Sequence, residues 1–548
     1  MSSKPEEPKS GFTASLRFQN LAAFAIVLFF VIFNVFSVQG MSLTADEADH
    51  YKYGMRILSL NSTRFDDSKM PVTALNALPA KLASYLPSGT LSNLLSQFIV
   101  ARSVTIIFSA LIALLVFHWS RSLYGFAGGL ATLVLYVFDP NIIAHSQLVT
   151  TDIYVMGMTT LSCYWLWKYA NSRNFRDGLT CALVLGLSQL AKYTALALVP
   201  LFLIMLSLHD WFVLTLEHPK KIGPRVGSVL RKMIIYGVIA VVTCIVIINI
   251  GFLFNRSFTP FRDYRFQSQT LRSLQSEAGV LGYFPVPVPY PFLQGLDRIS
   301  YRESTGFGFG NIYLLGQLRK GEGFKGYYLV ASLLKVPIAS QLVILGTLAL
   351  YFIQRQRRQH FFINEQFLLI PTLFFSIYFN FFYNAQIGIR FYLIIFPLLY
   401  VFSGGLFQNW NKFSTASKSV FLILTLYLIS SVLSYYPQYL AYFNELVWDR
   451  KTAYRYLSDS NLNWGQGKYY LQEYISTHPE AVYEPENIES GLIVMSPDDL
   501  VGVTVDPQKF AWLRENFKPV DTVAGVYLVY DVSPQALDQL CKTKSICP

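Results

Sequence analysis

Runs of apolar residues about as long as a membrane is thick constrain this chain more than any other feature of its sequence. The first run, Leu21–Val38, contains no charged residue, and a helix that crosses a bilayer needs about 20 such residues. If short runs at tight turns are included, the sequence predicts eleven membrane spans, at approximately 18–39, 98–118, 125–138, 153–170, 178–191, 194–208, 233–254, 328–353, 366–383, 391–407 and 418–436. We therefore predict an all-α polytopic membrane bundle.

The composition agrees with a membrane protein. Hydrophobic residues make up 53% of the 548 residues and charged residues only 14%, whereas soluble domains carry about 25% charged residues. The formal charge of +11 does not indicate nucleic acid, because the lysines and arginines lie in short segments between apolar runs rather than in one tract. Such segments are the usual signal of orientation in a membrane.

The placement of these basic residues predicts the topology. With the N-terminus inside, the short inner loops hold most of the loop lysines and arginines, whereas the short outer loop Asp139–Asp152 holds none. We therefore predict that the N-terminus lies inside and the C-terminus outside. The predicted units are a cytoplasmic tail at 1–17, a transmembrane domain at 18–436 with long outer loops at 40–97 and 255–327, and an extracytoplasmic C-terminal domain at 437–548.

The long outer segments differ in character. PVTALNALPAKLASYLP, residues 71–87, is amphipathic and predicts a helix lying in the membrane interface. FPVPVPYPF, residues 284–292, has prolines at alternate positions, which forbid a helix and favour an extended strap. The residues after Pro437 mix charged and aromatic side chains in soluble proportions and predict a small outer α/β domain.

Cysteine use gives no sign of a metal site. Cys163, Cys181 and Cys244 lie in apolar runs, where we expect inert packing residues. Cys541 and Cys547 share the C-terminal tail and could form a short-loop disulfide if that tail faces an oxidising compartment. The sequence contains no CxxC pair and no His–Cys cluster.

Charged residues near the predicted spans lie almost entirely at the outer ends of those spans. They are Asp46, Glu47, Arg102, Asp152, Lys192, Lys335 and Arg390. Deep positions are nearly free of charge, whereas an ion-coupled transporter usually places carboxylates or broken helices at the midplane. The pattern therefore favours a site at the outer face, within reach of lipid headgroups.

Each of these residues also has a purely structural interpretation. Asp46 or Thr44 could cap a helix over HYKYGMRIL, and Asp152 could begin the next membrane helix. Because adjacent side chains diverge, Asp46 and Glu47 cannot serve one atom in the same way. Other candidates could be interfacial cations or ordinary loop residues, namely Lys69, His145, Lys192 and Arg390.

Short motifs in a particular order along the chain carry a resemblance. They are DE at 46–47, KMP at 69–71, TD at 151–152, LAKYT at 190–194, IGIRFYLIIFP at 387–397 and YYPQYLAYFNELVWDRKTAYRYLSDSNLNWGQG at 435–467. With these motifs the chain resembles the GT-C superfamily of membrane glycosyltransferases. Within it, the chain resembles the dolichyl-phosphate-mannose protein mannosyltransferases and the bacterial polyprenyl-phosphate-sugar transferases, which include the aminoarabinose transferases of lipid A.

The resemblance covers approximately residues 20–470 and has one visible departure. The bacterial pattern reads DSNLDWGQD, whereas this chain has Asn463 and Gly467 in place of the last two acids. Any acid-dependent role of that segment is therefore in doubt. The residues at the membrane face are unaffected.

The resemblance implies a GT-C-like bundle that moves a sugar, with inversion, from a polyprenyl-phosphate carrier to a hydroxyl acceptor, as a mannosyltransferase-like enzyme would. It implies that Asp46 is the base that takes the hydroxyl proton. Glu47 then orients the loop or the acceptor, and Asp152 is either a second orienting carboxylate or the partner of Lys69. The implied phosphate-binding residues are Lys69, Lys192 and Arg390. Further site candidates are His145, Tyr193 and Arg102.

No cofactor is predicted, because the donor is already activated on its lipid, and a divalent metal is left open. The expected partners are the polyprenyl-phosphate-linked sugar, a hydroxyl acceptor on a protein, lipid or glycan, and membrane lipids, without nucleic acid. The sequence names neither the sugar nor the acceptor. Two rival interpretations are a transporter or flippase of a lipid-linked anionic glycan, which would need polar groups on both faces, and a receptor-like scaffold.

The compartment has two candidates. The sequons NST at 61–63 and NRS at 255–257 fall on the predicted outer side, as an endoplasmic-reticulum protein would allow. The stretch at 435–467, however, resembles bacterial members. We therefore expect a bacterial inner membrane, with the endoplasmic-reticulum membrane as the alternative and the active site on the extracytoplasmic face.

Overall fold

The computed structural model describes residues 16–61, 69–217 and 222–544. Most of the predicted cytoplasmic tail, the last two residues of the sequon at 61–63 and Cys547 lie outside these residues. The described part is mostly helical, with a small sheet near its C-terminal end. The predicted fold class, a helical membrane bundle with a small C-terminal α/β region, is therefore confirmed.

The helices and strands are numbered in chain order. The helices up to the last apolar segment are α1 Leu16–Ser37, α2 Glu47–Leu58, α3 Ala74–Ala83, α4 Thr90–Leu95, α5 Phe98–Val137, α6 Pro140–Ser146, α7 Asp152–Ser172, α8 Phe175–Ser188, α9 Leu198–Glu217, α10 Ile222–Gly251, α11 Gln269–Glu277, α12 Tyr290–Thr305, α13 Tyr327–Lys335, α14 Ile338–Ile353, α15 Arg355–Arg358, α16 Gln366–Phe381, α17 Phe396–Ser403 and α18 Thr415–Leu433. The later helices are α19 Lys468–Thr477, α20 Pro497–Val501, α21 Ala511–Asn516 and α22 Pro534–Lys544. The strands are β1 Asn311–Leu314, β2 Gln317–Lys320, β3 Ala481–Tyr483, β4 Gly491–Met495, β5 Asp521–Val523 and β6 Tyr527–Val532.

Short 3-10 helices connect or extend these elements. They lie at Pro71–Thr73, Tyr193–Ala197, Phe261–Asp263, Gly279–Tyr283, Ile389–Ile395, Gly404–Phe407, Trp410–Lys412, Tyr439–Ala441, Arg450–Arg455 and Asp459–Asn461. Two of them lie at predicted site residues. The 3-10 helix Tyr193–Ala197 begins directly after Lys192, and Ile389–Ile395 contains Arg390.

Every predicted apolar run overlaps a helix of the structure. Within the described residues, six helical segments are long and apolar enough to cross a membrane by length and composition, and α13 with α14, bent by 118°, would make a seventh if the pair forms one span. The six segments are Leu16–Ser37, Phe98–Val137, Tyr193–Glu217, Val226–Gly251, Ile389–Phe407 and Thr415–Leu433. A membrane bundle is thus confirmed, whereas the count of eleven spans and their orientation stay predictions.

Helix α5 is central to the bundle and packs against α1, α7 and α17. It bends at Gly125, whose φ of +81° lies in the left-handed region that glycine adopts at little cost. The predicted spans 98–118 and 125–138 are therefore two helical arms that fold back on each other at Gly125, since the Thr132 hydroxyl donates to that of Ser120 at 2.8 Å and the hydroxyls of Ser109 and Tyr136 lie 2.9 Å apart. Both arms are buried, as Trp119 and Tyr136 show.

The predicted outer loop Asp139–Asp152 is a buried segment rather than a surface loop. The Asp139 carboxylate accepts hydrogen bonds from the backbone N–H groups of Asn141 and Ile142, at 2.7 and 3.3 Å, and so caps the short helix α6. As a result, α7 begins at Asp152 inside the protein, and the Asp152 carboxylate is not a solvated helix start.

The first long outer loop contains the amphipathic helix that the sequence predicts. Residues 71–87 begin with a 3-10 turn and continue as α3, which packs against α2 and α5. The Asn76 amide donates hydrogen bonds of 2.8 Å to the Ala101 carbonyl and to the Thr105 hydroxyl. These bonds join α3 to the first arm of α5.

The second long outer loop departs from prediction at one point. Residues 284–289 are not helical, in agreement with the extended strap, but α12 already begins at Tyr290 and includes Pro291 in its first turn. Proline is tolerated there because a first-turn N–H has no partner within the helix. The strap prediction is therefore wrong for 290–292. The antiparallel hairpin β1–β2 follows, with Asn311 opposite Lys320.

Residues 438–467 pack into the helical bundle before the C-terminal sheet begins. The buried Lys335 ammonium at the end of α13 donates hydrogen bonds to two backbone carbonyls of this segment, one of them that of Asn461. The Asn461 side chain accepts a hydrogen bond from the Ile389 N–H at 3.0 Å and donates one to the Tyr327 hydroxyl at 2.8 Å. This segment is thereby joined to the chain that leads into Arg390.

The C-terminal region then forms a mixed sheet in the order β3-β4-β6-β5. Strand β3 is parallel to β4, and β6 is antiparallel to both of its neighbours. In this register Ile493 lies opposite Tyr530, and both are fully buried. The buried face of the sheet therefore belongs to the same continuous hydrophobic core as the bundle.

The Asn461→Ala variant tests how firmly the 438–467 segment is docked. It should lower the free energy of unfolding by about 3 kcal/mol, because the substitution leaves buried partners such as the Ile389 N–H and the Tyr327 hydroxyl without their hydrogen bonds. The measurement is thermal unfolding of the purified protein. The matched control is Asn516→Ala, whose amide donates only to a carbonyl of its own helix. Equal losses in the two variants would contradict the docking role.

Candidate active site

The Glu47 carboxylate is the fully buried centre of a hydrogen-bonded clamp. Arg102, in the second turn of α5, donates from Nε to Oε1 at 2.9 Å and from Nη2 to Oε2 at 2.6 Å. The same carboxylate accepts bonds from the backbone N–H groups of Thr44 at 2.9 Å and Val149 at 3.0 Å. A buried carboxylate is stable when its oxygens are paired in this way. We call this group the Glu47–Arg102 clamp.

The clamp also uses the remaining donors of Arg102. Its Nη1 and Nη2 atoms donate to the carbonyl oxygens of Met41 and Ser42, at 2.9 Å each. Arg102, one of the further site candidates, thus fixes the loop after α1 through two of its backbone carbonyls. Glu47, predicted as an orienting group, joins that loop to α5 and to the segment before α7.

Asp46 points away from its neighbour, as expected for adjacent side chains. It occupies the N-cap position of α2, but its side chain makes no capping hydrogen bond. Its Oδ1 atom lies 3.5 Å from Lys69 Nζ, and its Oδ2 atom lies 3.1 Å from Arg390 Nη1. The capping interpretation of Asp46 is therefore wrong in this structure. The Asp46 side chain is 35% exposed, whereas that of Glu47 is 0% exposed.

Asp152 pairs with Lys192. The Lys192 Nζ atom donates to Asp152 Oδ1 at 2.6 Å, and Arg390 Nη1 lies 4.0 Å from Asp152 Oδ2. The alternative in which Asp152 is the partner of Lys69 is wrong, because Lys69 pairs with Asp46 instead. Both residues of this pair lie at the start of a helix: α7 begins at Asp152, and Lys192 is the extended residue directly before the 3-10 helix Tyr193–Ala197.

Arg390 connects the two carboxylates and is itself held by aromatic rings. Its guanidinium carbon lies 4.0 Å from the centroid of the Trp464 ring and 5.1 Å from that of Phe391, a geometry that stabilises a cation. The preceding Gly388 has a φ of +133°, and a side chain there would overlap the Ser460 hydroxyl. Glycine thus permits the close approach that puts Arg390 beside Trp464.

The resulting cluster joins three cations to two carboxylates, and a third carboxylate, that of Asp459, acts on Arg390. Its cations are Lys69, Lys192 and Arg390, and its carboxylates are Asp46 and Asp152. Burial raises the pKa of Asp46, but Arg390 and Lys69 lower it more, so that this pKa lies far below its usual range and the group is ionised at neutral pH. Three cations beside a partly exposed carboxylate suit an anionic ligand that also carries a proton to be removed.

The WGQG motif of the C-terminal segment lies against the loop that carries Asp46. The backbone N–H of Ser42 donates to the Gln466 carbonyl, and that of Ala45 donates to the Trp464 carbonyl, at 3.1 Å each. The Ser42 hydroxyl donates to the Gly465 carbonyl at 2.8 Å. Sequence reasoning named the 435–467 stretch only as a point of resemblance and did not place it beside Asp46.

The two positions that depart from the bacterial pattern contact the C-terminal region. The Asn463 amide donates to the Ser496 hydroxyl at 3.1 Å. A side chain at Gly467 would lie 3.2 Å from the Tyr527 ring. The absence of acids at these positions therefore changes the contacts with Ser496 and Tyr527, not the Asp46 cluster.

Sequence reasoning missed two titratable residues near the cluster. His50 follows Asp46 by one helical turn, and its buried Nδ1 atom has no hydrogen-bond partner among the described residues. Burial and the charge of Lys69 lower the pKa of His50 to about 3. Asp459, at a left-handed φ of +60°, has a pKa raised by burial to about 6 although Arg390 opposes that rise. The i, i+4 spacing from Asp46 was the available signal for His50.

The other candidates lie at the edges of the cluster. His145 is buried, with its ring centroid 6.2 Å from that of Trp464. Tyr193 donates its hydroxyl proton to the Phe292 carbonyl of α12 at 3.0 Å, which joins the residue after Lys192 to the second outer loop. Among the residues that the structure describes, no group of three or more His, Cys, Asp and Glu side chains could hold a metal ion.

Substitution of Glu47 tests the clamp. Glu47→Ala should lower the free energy of unfolding by about 4 kcal/mol, because it leaves the buried Arg102 guanidinium without its counter-charge. Asp49→Ala is the matched control on the same helix, since Asp49 pairs at 3.7 Å with Lys52 in solvent, and it should cost less than about 1 kcal/mol. Thermal unfolding of both variants provides the comparison. A small loss in Glu47→Ala would contradict the clamp.

The lowered pKa of His50 predicts a pH dependence of stability. His50 has a pKa of about 3 in the folded protein and of about 6.5 in the unfolded chain. Its contribution to stability is therefore fully present above pH 6.5 and is lost as the pH falls towards 3, because the unfolded chain then binds a proton that the folded protein does not. At pH 5 the loss is about 2 kcal/mol. The drop in melting temperature between pH 7.5 and pH 5 should therefore be smaller in His50→Gln than in the unsubstituted protein. Identical drops would show that His50 does not titrate in this way.

Residues 88–251 match the protein family described as dolichyl-phosphate-mannose-protein mannosyltransferase. The match contains Asp152 and Lys192, whereas Asp46, Lys69 and Arg390 lie outside it. No curated protein matches the chain in sequence. The family match supports a membrane enzyme that transfers a sugar.

Solved structures of membrane proteins are similar at low identity. The apo oligosaccharyltransferase of Archaeoglobus fulgidus is 12% identical at a TM-score of 0.45, over 78% of this chain and 55% of that one, so the chain spans about half the length of this protein. ArnT from Cupriavidus metallidurans bound to undecaprenyl phosphate is 13% identical at a TM-score of 0.30, over 95% of this chain and 99% of that one. Its apo state is 13% identical at a TM-score of 0.32, over 93% and 98%.

TM-scores below 0.5 do not by themselves establish a shared activity. The motifs at 151–152 and 190–194, which carry part of the sequence resemblance, both fall inside the matched family segment. The chain thus resembles the dolichyl-phosphate-mannose-protein mannosyltransferases, and this resemblance is confirmed over residues 88–251.

Proposed function

We propose that this protein is an inverting glycosyltransferase that moves a sugar from a polyprenyl-phosphate carrier to a hydroxyl acceptor at the outer membrane face. One observation carries the proposal. The partly exposed Asp46 carboxylate lies between two cations, Lys69 and Arg390, beside a second carboxylate–cation pair formed by Asp152 and Lys192. The name of the matched family, which contains a mannose linked to dolichyl phosphate, supports a donor of this class.

The cations are suited to the phosphate of such a donor. Arg390 can offer Nη groups in a planar fork, and Lys69 and Lys192 act as point charges, so together they can stabilise the negative charge that grows on a leaving phosphate. In the absence of a donor, the Asp46 carboxylate holds Lys69 and Arg390. An arriving phosphate would compete for the same cations. Their withdrawal from Asp46 would raise its pKa and make it a better base.

The proposed reaction is a direct displacement. The acceptor hydroxyl loses its proton to Asp46 as its oxygen forms a bond to the anomeric carbon of the sugar. The bond between that carbon and the phosphate oxygen breaks, and its electron pair leaves with the lipid phosphate, whose charge the cluster cations balance. One displacement inverts the configuration at the anomeric carbon. General-base assistance of this kind contributes about 10²- to 10⁴-fold in rate.

The remaining residues position these groups. Glu47 and Arg102 hold the Asp46 loop against α5, and we assign them no contact with substrate. Asp152 orients Lys192, whose ammonium also lies 4.0 Å from the centroid of the Phe391 ring. His145 and Tyr193 support the cluster from its edges. We place the reaction on the extracytoplasmic face of a bacterial inner membrane, with the endoplasmic reticulum as the alternative.

Sugar transfer measured with a panel of radiolabelled polyprenyl-phosphate sugars and total membrane acceptors tests the proposal. Label should move from lipid to acceptor with the unsubstituted protein, and Asp46→Asn should reduce the rate by at least about 100-fold, because an amide cannot take the hydroxyl proton. The sugar that transfers identifies the donor. The matched control is Asp49→Asn, a solvent-exposed acid three residues along the chain, which should retain transfer.

Three other outcomes would count against parts of this proposal. Equal transfer by Asp46→Asn and the unsubstituted protein would remove Asp46 as the base. Retention of configuration in the product would exclude a single displacement. No transfer from any donor in the panel, with polyprenyl phosphate still crossing the membrane of reconstituted vesicles, would favour a transporter of lipid-linked anions.

A further inference from the structure

A polar cavity of about 540 Å³ lies at the end of the bundle opposite the Asp46 cluster. Tyr124, in its wall, follows Arg102 of the clamp by 22 residues along the first arm of α5, which at 1.5 Å per residue is about 33 Å. The cavity is lined by Leu123, Tyr124, Gln354, Arg355, Arg357, His360, Asn364, Glu365, Gln408 and Asn409. Its volume far exceeds the roughly 30 Å³ of one water molecule. The proposed transfer reaction uses none of these residues.

Arg357 is the unusual residue of this cavity. Its side chain is 7% exposed, and its guanidinium carbon lies 4.8 Å from the ring centroid of Tyr124 and 5.4 Å from those of Tyr351 and Phe402. The guanidinium also lies against Gly405, where any side chain would overlap it. Aromatic rings and a glycine thus hold a buried cation in place at the cavity wall.

This arginine is ion-paired with Glu365, but in the part of the chain that the structure describes no acceptor lies within 3.5 Å of its donors in good hydrogen-bond geometry. Among the described residues, the Nε, Nη1 and Nη2 atoms of Arg357 have no hydrogen-bond partner, nor does the buried hydroxyl of Tyr124 in the same wall. Leaving a buried charged donor unpaired is costly, and native proteins rarely do so. Such a group of donors facing a cavity of this size is what a site for an anion requires.

The charges around the cavity agree with an anion. Arg355 adds a second positive charge to that of Arg357, whereas Glu365 is the single carboxylate in the lining. Glu365 Oε1 lies 3.7 Å from Arg357 Nε, so this ion pair involves the Nε side of the guanidinium and is longer than a normal hydrogen bond. Burial raises the pKa of Glu365, although the nearby Arg357 opposes that rise.

We propose that this cavity binds a phosphate group through Arg357, with the Tyr124 hydroxyl and Arg355 as further contacts. A guanidinium presents two parallel N–H groups that match two phosphate oxygens, and phosphate is therefore a typical ligand of a planar arginine. The phosphate belongs either to the headgroup of a lipid in the adjacent leaflet or to a soluble phosphate compound. Both sources share this chemistry.

Two binding measurements on the full-length protein distinguish the sources. Equilibrium dialysis with radiolabelled inorganic phosphate, at constant ionic strength, reports a soluble ligand. Native mass spectrometry of the detergent-solubilised protein with added phosphatidic acid or phosphatidylcholine reports a lipid headgroup. We expect phosphate or phosphatidic acid to bind, and Arg357→Gln to weaken that binding by about tenfold or more. Phosphate binding without lipid retention assigns a soluble ligand, and retention of phosphatidic acid over phosphatidylcholine assigns a headgroup.

Two further variants keep the test decisive if Arg357→Gln does not fold. Glu365→Gln should strengthen phosphate binding, because it removes the single carboxylate of the lining, whereas a purely structural role of this pair predicts no gain. Arg355→Gln should weaken binding. Phosphate could also bind at the Asp46 cluster, so the measurements are repeated with Arg390→Gln, which should leave binding at the Arg357 cavity unchanged. Equal binding by the unsubstituted protein and by Arg357→Gln, or weaker binding by Glu365→Gln, would overturn the proposal.

Discussion

The buried ion pair of Glu47 and Arg102 determines how the end of the bundle that carries Asp46 is arranged. A carboxylate taken out of water must have its oxygens paired, and Glu47 meets that requirement with donors from α5, from its own loop and from the backbone before α7. Three segments that are distant in sequence are thereby joined at one point. Arg102 adds two hydrogen bonds to backbone carbonyls of the loop after α1, those of Met41 and Ser42. Few alternative arrangements would satisfy all of these groups.

Because Glu47 points inward, the preceding side chain must point outward. Asp46 therefore reaches Lys69 and Arg390, and the same arginine approaches Asp152, which Lys192 already pairs. The cluster is thus assembled from separate stretches of chain around Arg390, with Trp464 beneath the guanidinium. Because these charged groups are mostly buried, the electrostatic attraction between them is stronger than it would be in water. Under the proposed mechanism, this pairing keeps Asp46 a weak base until a phosphate binds Lys69 and Arg390 in its place.

The buried arginines at the two ends of the bundle differ in their hydrogen bonding. At the end that carries Asp46, Arg102 has carboxylate and carbonyl partners for its donors. At the opposite end, Arg357 is surrounded by aromatic rings and forms an ion pair with Glu365 at 3.7 Å, but its donors make no hydrogen bond within the described residues. An arginine whose donors are hydrogen-bonded stabilises a fold, whereas free donors beside a cavity retain the free energy that a ligand can gain. The contrast between the hydrogen-bonded Arg102 and Arg357 underlies our assignment of a phosphate site to the cavity beside Arg357.

Hydropathy and motif order determined much of this protein from the sequence alone. Apolar runs predicted the helices because burial in a membrane is read from length and composition. The motifs TD and LAKYT carried part of a resemblance that the family match supports over residues 88–251, and the order of DE and TD named Asp46, Glu47 and Asp152 as site candidates. The tertiary structure alone decided that Lys69 pairs with Asp46 and Lys192 with Asp152, that His50 lies beside the cluster, and that WGQG lies against Ser42. Local patterns report on a helix or a turn. Contacts between residues hundreds of positions apart depend on how helices pack, which no local pattern contains.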